Sequence, residues 1–132
     1  MEIKDSVEGM FDSIAKNVSA SGPIAWLKYF ENTPDFFMAS DGQLALPNHD
    51  SAAVFIKNTL IKQISKIKLQ WNNIRVDPMT AELASVGADW SETLTDFDGN
   101  AISQSGYFTA IAERTSQGWQ LRNAHWSVMK TR

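Results

Sequence analysis

The first apolar pattern along the chain has the period of a helix. Between residues 5 and 20, apolar side chains fall at positions i, i+3, i+4, i+7 and i+11, which is one face of an α-helix; they are Val7, Met10, Phe11, Ile14 and Val18. Asp5 or Ser6 could cap its start. The pattern predicts a first amphipathic helix that ends before Gly22.

A second, short helix is predicted after Pro23, which suits a first helical position. Ile24, Leu27 and Phe30 are expected to form its buried stripe, with Trp26 and Tyr29 beside them. A hairpin follows: Phe36–Ala39 and Gln43–Leu46 flank Asp41-Gly42, a strong turn dipeptide. Asn48 or Asp50 then caps a third helix that runs to about Ser65.

From Lys68 onward the apolar period changes from helical to two. Three turn sequences divide the rest into four long strands, at about 67–77, 81–96, 101–115 and 118–129. The first and last strands change phase part-way. Because a one-residue slip turns every later side chain to the other face, we expect bulges near Asn72-Asn73 and near Asn123-Ala124. Apolar partners on both sheet faces would be the alternative.

Three helices followed by successive hairpins predict an α+β fold. We expect one cone-shaped domain over residues 1–132, with three N-terminal helices packed on a curved antiparallel sheet made of a short hairpin and four long strands. A cavity would form at the wide end of the wedge between helices and sheet.

Composition excludes several classes of function. The formal net charge is −3, which does not fit nucleic-acid binding, and the chain has no Cys for a disulfide or a thiol nucleophile. The two His are far apart, so no metal site and no cofactor is predicted. We see no signal peptide and no apolar run of membrane-spanning length, and therefore expect a cytoplasmic protein without membrane contact.

Several residues together resemble the nuclear-transport-factor-2-like superfamily, and within it the SnoaL-like group of small bacterial proteins. The resemblance covers about residues 5–129, and it rests on the order of elements and on a set of short motifs: Trp26 in a short second helix, the Phe36–Gly42 hairpin, Gly106-Tyr107-Phe108-Thr109, Gly118-Trp119 and His125-Trp126-Ser127. It implies a cone-shaped fold, an interior pocket and a homodimer packed through outer sheet faces. It does not imply one function, because the superfamily includes isomerases, dehydratases, polyketide cyclases, dioxygenase small subunits and non-catalytic association domains.

Glu92 and His125 are the candidate catalytic residues. By parity Glu92 shares the apolar, helix-facing side of its strand with Trp90 and Leu94, where desolvation would raise the pKa of a carboxyl and suit it to acid–base catalysis. The alternative is a solvated carboxylate at the strand end. His125 is the second candidate, because imidazole is a common general acid or base near neutral pH. The alternative is a packed structural histidine. The two could act together only if both point inward.

Ketosteroid isomerases in this superfamily use a tyrosine on the first helix and a carboxylate just after the first hairpin. Here the first helix has no Tyr, and the hairpin ends in Leu44-Ala45-Leu46-Pro47. That mechanism is therefore not expected in this chain.

The aromatic residues are the remaining signal, since five Trp and seven Phe are many for a small core. The rings that converge in such a fold are the candidate ligand-binding residues: Trp26, Phe30, Phe37, Trp71, Trp90 and Tyr107. They would favour an apolar or aromatic small molecule as the partner.

Three functions remain open at this point. The first is a homodimeric small-molecule-binding domain with acid–base catalysis of the isomerase, dehydratase or cyclase type. The second is a non-catalytic ligand carrier or sensor. The third is an association module, which predicts an apolar outer sheet face with Tyr107, Ile111 or Trp126 buried between chains.

Overall fold

The computed structural model describes residues 2–129. Helix α1 (Ile3–Ser21) buries the five apolar side chains of its predicted face. Its N-cap is Glu2, and neither Asp5 nor Ser6 caps it, because the helix begins earlier than the pattern indicates. Gly22 ends the helix at φ 86°, a left-handed conformation that favours glycine.

The second helix is a 3₁₀ helix, Pro23–Tyr29, and the set of side chains that it buries differs from the predicted one. A 3₁₀ helix repeats every three residues, so Pro23, Trp26 and Tyr29 face inward. The predicted stripe is wrong at Ile24, which is 40% exposed. Trp26 therefore reaches the interior as the central residue of the buried stripe.

The third helical segment is composite. It consists of α2 (His49–Phe55), a π-helical turn (Ile56–Leu60) and α3 (Ile61–Gln63). Asn48 caps its start, because its side chain accepts a hydrogen bond from the Ser51 N–H at 2.8 Å. Within residues 2–129 no helix is both long enough and apolar enough to cross a membrane.

Six strands form one curved, unclosed sheet in the order β2-β1-β6-β5-β4-β3. The hairpin strands are β1 (Phe37–Ser40) and β2 (Gln43–Leu46). The four long strands are β3 (Lys66–Pro78), β4 (Leu83–Thr95), β5 (Ala101–Thr115) and β6 (Gly118–Val128). This confirms the predicted α+β fold, with one addition: β1 pairs parallel to β6, so the sheet is mixed.

Both predicted phase changes are bulges. The β3–β4 register shifts between Asn72 and Arg75, and Asn73 has a φ of 53°. In β6 the extra residue is Arg122, because Leu121 pairs with Ala112 while Asn123 pairs with Ile111. The second bulge lies slightly before the predicted position. Each bulge keeps the apolar residues on both sides of it on the helix-facing side of the sheet.

The core lies between that side of the sheet and the helices. From β4 it takes Ala84, Val86, Ala88 and Trp90, which confirms the parity predicted for this strand. Gly106 lets β5 and β6 approach closely, since a Cβ there would collide with the Ser127 carbonyl oxygen and lie 3.1 Å from the Trp90 ring.

Candidate functional site

A cavity of about 380 Å³ lies between the sheet and the helices. Pro23, Trp26 and Phe30 line it from the 3₁₀ helix and its end, and most other lining side chains are also apolar. These come from the hairpin, the composite helix, β3, β4 and β6: Met38, Ala45, Leu46, Phe55, Ile56, Leu60, Ile64, Ile67, Leu94 and Trp126. Ser40 and Glu92 complete the lining. An apolar cavity with few polar groups is typical of a small-molecule site.

Glu92 is the only ionisable side chain among the described residues that line this cavity. β4 directs it inward because it shares parity with the buried Trp90, and its cross-strand neighbour on β3 is the buried Leu69. Burial among apolar groups raises the pKa of Glu92 above its ordinary value. The carboxyl can therefore hold a proton at a higher pH than a solvated glutamate, and its ionised form is a stronger base.

Three aromatic residues form the inner wall of the cavity. Trp26 stacks on Phe30, with ring centroids 5.7 Å apart, and meets Trp126 edge to face at 5.5 Å. The Trp126 Nε1–H donates to the sulfur of Met38 at 3.1 Å. This hydrogen bond fixes the orientation of the indole against β1. The wall is thus attached to both strands of the parallel pair, because Met38 belongs to β1 and Trp126 to β6.

Only two of the six predicted ligand-binding aromatics line the cavity, namely Trp26 and Phe30. Trp71 and Trp90 are buried in the core, where both contact Trp126. Phe37 is 39% exposed, because it is the first residue of β1 and its neighbours Phe36 and Met38 are the ones that turn inward.

Tyr107 is also 39% exposed, and it lies on the outer face of the sheet. It pairs across β5–β6 with Ser127 and follows Gly106, while its neighbour Phe108 enters the core. An added Cβ on Gly87 would lie 2.6 Å from the Tyr107 hydroxyl oxygen. The ring therefore covers Gly87 on the side away from the cavity.

His125 does not meet Glu92. It is exposed and pairs with Thr109, while Ala124 and Trp126 on either side of it turn inward. The bulge at Arg122 sets this direction. The prediction that His125 and Glu92 could share one site within a chain is corrected by this geometry: a sheet separates them.

Trp126 lines the cavity but was not among the predicted ligand-binding residues. The association hypothesis put it between chains, whereas it contacts Trp26, Trp71, Trp90 and Phe108 inside the domain. The bulge expected in β6 was the signal that could have found it, because that bulge brings Trp126 into phase with Leu121. Phe55 carried no comparable signal, since it lies outside the apolar stripe predicted for the third helix and the π-helical turn that follows it has no sequence pattern of its own.

Comparison with solved structures identifies the fold. A protein from Salmonella enterica serovar Typhimurium LT2, described as a nuclear transport factor 2 (NTF2-like) superfamily protein, superposes with a TM-score of 0.80 over 97% of this chain and 92% of its own, at 17% identity. The chain has the NTF2-like fold. No family model matches the sequence, and no curated protein matches it either.

Two of the other structures that match are described as enzymes. A candidate scytalone dehydratase from Novosphingobium aromaticivorans DSM 12444 matches with a TM-score of 0.81 at 11% identity, over 96% of this chain and 84% of that one. Hexachlorocyclohexane dehydrochlorinase LinA-type3 from Novosphingobium barchaimii LL02 matches with a TM-score of 0.74 at 11% identity, over 96% of this chain and 86% of that one. At such identities the similarity establishes the NTF2-like fold and leaves the chemistry to be argued from the cavity itself.

Proposed function

We propose that this protein binds a neutral, apolar small molecule in the cavity beside Trp26, Phe30 and Trp126, and that Glu92 exchanges a proton with it. The observation that carries the proposal is the single carboxyl in an apolar lining, whose pKa is raised by burial. Among the described lining residues, a negatively charged ligand would meet an acidic group and no cation. A neutral ligand suits both the apolar lining and the acidic Glu92 side chain.

The reaction class is acid–base chemistry of the isomerase, dehydratase or cyclase type. In an elimination, the Glu92 carboxylate would take a proton from carbon, the C–H electron pair would form the new double bond, and the leaving group would depart with its own electron pair. The dehydratase and dehydrochlorinase described above carry names that denote eliminations. Their folds agree with this one, which supports the reaction class without naming a substrate.

Turnover of 5-nitrobenzisoxazole tests the catalytic part. This neutral, aromatic carbon acid opens when a base removes its C–H proton, and desolvated carboxylates are effective bases for that step. We expect wild-type protein to accelerate the reaction and Glu92→Gln to lose about 10²-fold or more of that rate. The rate should rise with pH with a midpoint above the ordinary pKa of Glu. Glu82→Gln, an exposed acid just before the same strand, is the matched control and should keep the wild-type rate.

Binding of the neutral fluorophore N-phenyl-1-naphthylamine tests the cavity separately. Trp26 and Trp126 line the cavity, so energy transfer from tryptophan should report binding there. Binding without turnover in the wild type would refute the catalytic role. Absence of both would refute the cavity proposal.

A non-catalytic carrier is the second candidate function, and one observation favours it. Glu92 has no second proton-transfer side chain beside it in the described cavity lining, because His125 lies on the other face of the sheet. A carrier predicts fluorophore binding by wild type and by Glu92→Gln alike, with no turnover by either. The two tests above therefore separate carrier from enzyme.

We further propose that the chain forms a homodimer through the outer face of the sheet. Tyr107 and the half-buried Ile111 give that face an apolar centre on β5. Sedimentation analysis should show a dimer for wild type and a monomer for Tyr107→Arg. Ile24→Arg, exposed on the 3₁₀ helix, is the control and should remain dimeric.

A further inference from the structure

A second group of ionisable residues lies at the β6 bulge, away from the apolar cavity. Arg122 Nη1 donates to the Glu113 carboxylate at 2.8 Å. The same guanidinium lies 4.0 Å from Glu31 and 3.7 Å from Asp35. Three carboxyl groups thus share one cation, and the group carries an excess of negative charge when all three are ionised.

Glu31 is the member of this group that lacks a full set of partners. The residue is 7% exposed, and its Oε2 has no hydrogen-bond partner among residues 2–129. Its backbone is fixed, since Glu31 N–H donates to the Leu121 carbonyl at 2.9 Å. Burial, reinforced by the neighbouring Glu113, raises the pKa of Glu31 to about 7. Arg122 meanwhile lowers the pKa of Glu113, so Glu113 is the carboxyl that the guanidinium neutralises.

Glu31 lines a second cavity, of about 410 Å³, on the other side of Phe30 from the apolar one. Its lining is mostly polar and includes Thr33, whose buried hydroxyl oxygen also has no partner in the described chain. Gln120 is already occupied, because its amide donates to the Lys28 carbonyl at 2.9 Å and accepts from Thr115 at 3.0 Å. The lining of this cavity thus includes two residues, Glu31 and Thr33, that each carry a buried side-chain oxygen with no hydrogen-bond partner among residues 2–129.

The other charged or titratable side chains of this cavity do not neutralise Glu31. The Lys28 ammonium lies over the Tyr29 ring, 5.1 Å from its centroid. His49 packs edge to face against Phe36, with ring centroids 5.9 Å apart. Neither makes an ion pair with Glu31 in the described chain. Arg122, at 4.0 Å, is the one cation within ion-pair distance of Glu31 in the described chain, and Glu113 and Asp35 share it. A second cation, supplied from outside, would balance the excess negative charge of this group.

We propose that the second cavity binds a small organic cation of the guanidinium or primary ammonium type, whose N–H groups donate to Glu31 and Thr33. Binding keeps Glu31 ionised, so a proton leaves Glu31 for solvent as the cation arrives. Planar guanidinium matches a carboxylate and a neighbouring hydroxyl better than a point charge does. Because this site is separate from the apolar cavity, the proposal does not depend on the function proposed for Glu92.

Isothermal titration calorimetry with methylguanidinium chloride tests this proposal directly. Ionic strength is held constant with sodium chloride, and each titration is run in two buffers of different ionisation enthalpy to count released protons. For the wild type we expect saturable binding, proton release near neutral pH, and tighter binding at about pH 8 than at about pH 5.5. Glu31→Gln should bind at least about tenfold more weakly and release no proton.

Two further variants keep the outcome interpretable. Thr33→Val removes the hydroxyl and leaves the acidic group intact, so it should weaken binding while retaining the proton release. Glu82→Gln, an exposed acid elsewhere, should bind like the wild type. The proposal is overturned if the wild type shows no saturable heat at about pH 8, or if Glu31→Gln binds as tightly as wild type.

Discussion

The indole of Trp126 stacks on that of Trp71, with ring centroids 5.9 Å apart and 24° between the ring planes. Trp126 also meets three other rings nearly edge-on: Trp26, Trp90 and Phe108. One face of this side chain belongs to the core, while another part of it lines the apolar cavity. The cavity wall and the core are therefore held together by one residue.

Replacing Trp126 by alanine should lower the free energy of unfolding by about 3–5 kcal/mol, because a large ring leaves a packed cluster. The same variant should lose most binding of N-phenyl-1-naphthylamine, since the cavity loses one of the three rings of its inner wall. Urea unfolding and fluorescence titration measure the two effects. Trp119→Ala is the matched control: Trp119 is half-buried at the start of β6, outside the cavity lining, and its loss should cost less and leave binding intact. Equal losses in both variants would contradict the role given to Trp126.

Glu92→Gln should make the protein more stable at alkaline pH. Burial raises the pKa of Glu92 in the folded state above its unfolded value. A raised carboxyl pKa gives stability that is present below the unfolded pKa and is lost as pH rises through the folded one. The uncharged amide avoids that loss, so the variant should exceed the wild type in urea unfolding at about pH 8 and approach it at about pH 4. Glu82→Gln should show no such pH-dependent gain; an equal gain there would remove the argument from burial.

The strands of this protein are predictable from sequence because their signals are local. Alternation places Trp90 and Glu92 on the helix-facing side of β4, and both are there. The change of phase after Trp71 predicts a bulge, and the register shift between Asn72 and Arg75 confirms it. Helix α1 is equally predictable from sequence, since its buried residues repeat with the α-helical period.

The errors arise where geometry depends on distant partners or on less common helices. The direction of His125 depends on whether β6 carries an extra residue before it, as it does at Arg122, or has none. The change of phase alone does not decide this, because apolar partners on both sheet faces would produce the same pattern. In the parallel pairing of β1 with β6, Met38 lies beside Ala124, which is far from it in the sequence. No local sequence pattern predicts such a pairing. Ile24 was misplaced because this segment has two apolar sets spaced three residues apart, one of which contains Ile24 and the other Trp26. Only packing against the rest of the domain decides which set is buried.

Glu31→Gln should remove a pH dependence from the protein's stability. The pKa of Glu31 is raised from 4.5 to about 7, so its protonated form is favoured in the folded state. Its stabilising contribution is complete below about pH 4.5 and is lost as pH rises through about 7. At about pH 8 the variant should therefore have a higher free energy of unfolding than the wild type, by at most about 3 kcal/mol, as measured by urea unfolding. This difference should close toward about pH 4.5. A difference that stays constant with pH would contradict it.

Gly106 and Gly9 form a matched pair for testing backbone packing. A Cβ at Gly106 would collide with the Ser127 carbonyl oxygen, which is backbone of the paired strand β6, and would press on the Trp90 ring. Since neither neighbour can move freely, Gly106→Ala should cost about 1–3 kcal/mol or more in urea unfolding. Gly9 lies inside α1 with no atom within 4 Å of an added Cβ, so Gly9→Ala should instead stabilise by about 0.5–1 kcal/mol. If Gly106→Ala unfolds like the wild type, then β5 and β6 do not approach as closely as described, and the position of Trp90 against them must be revised.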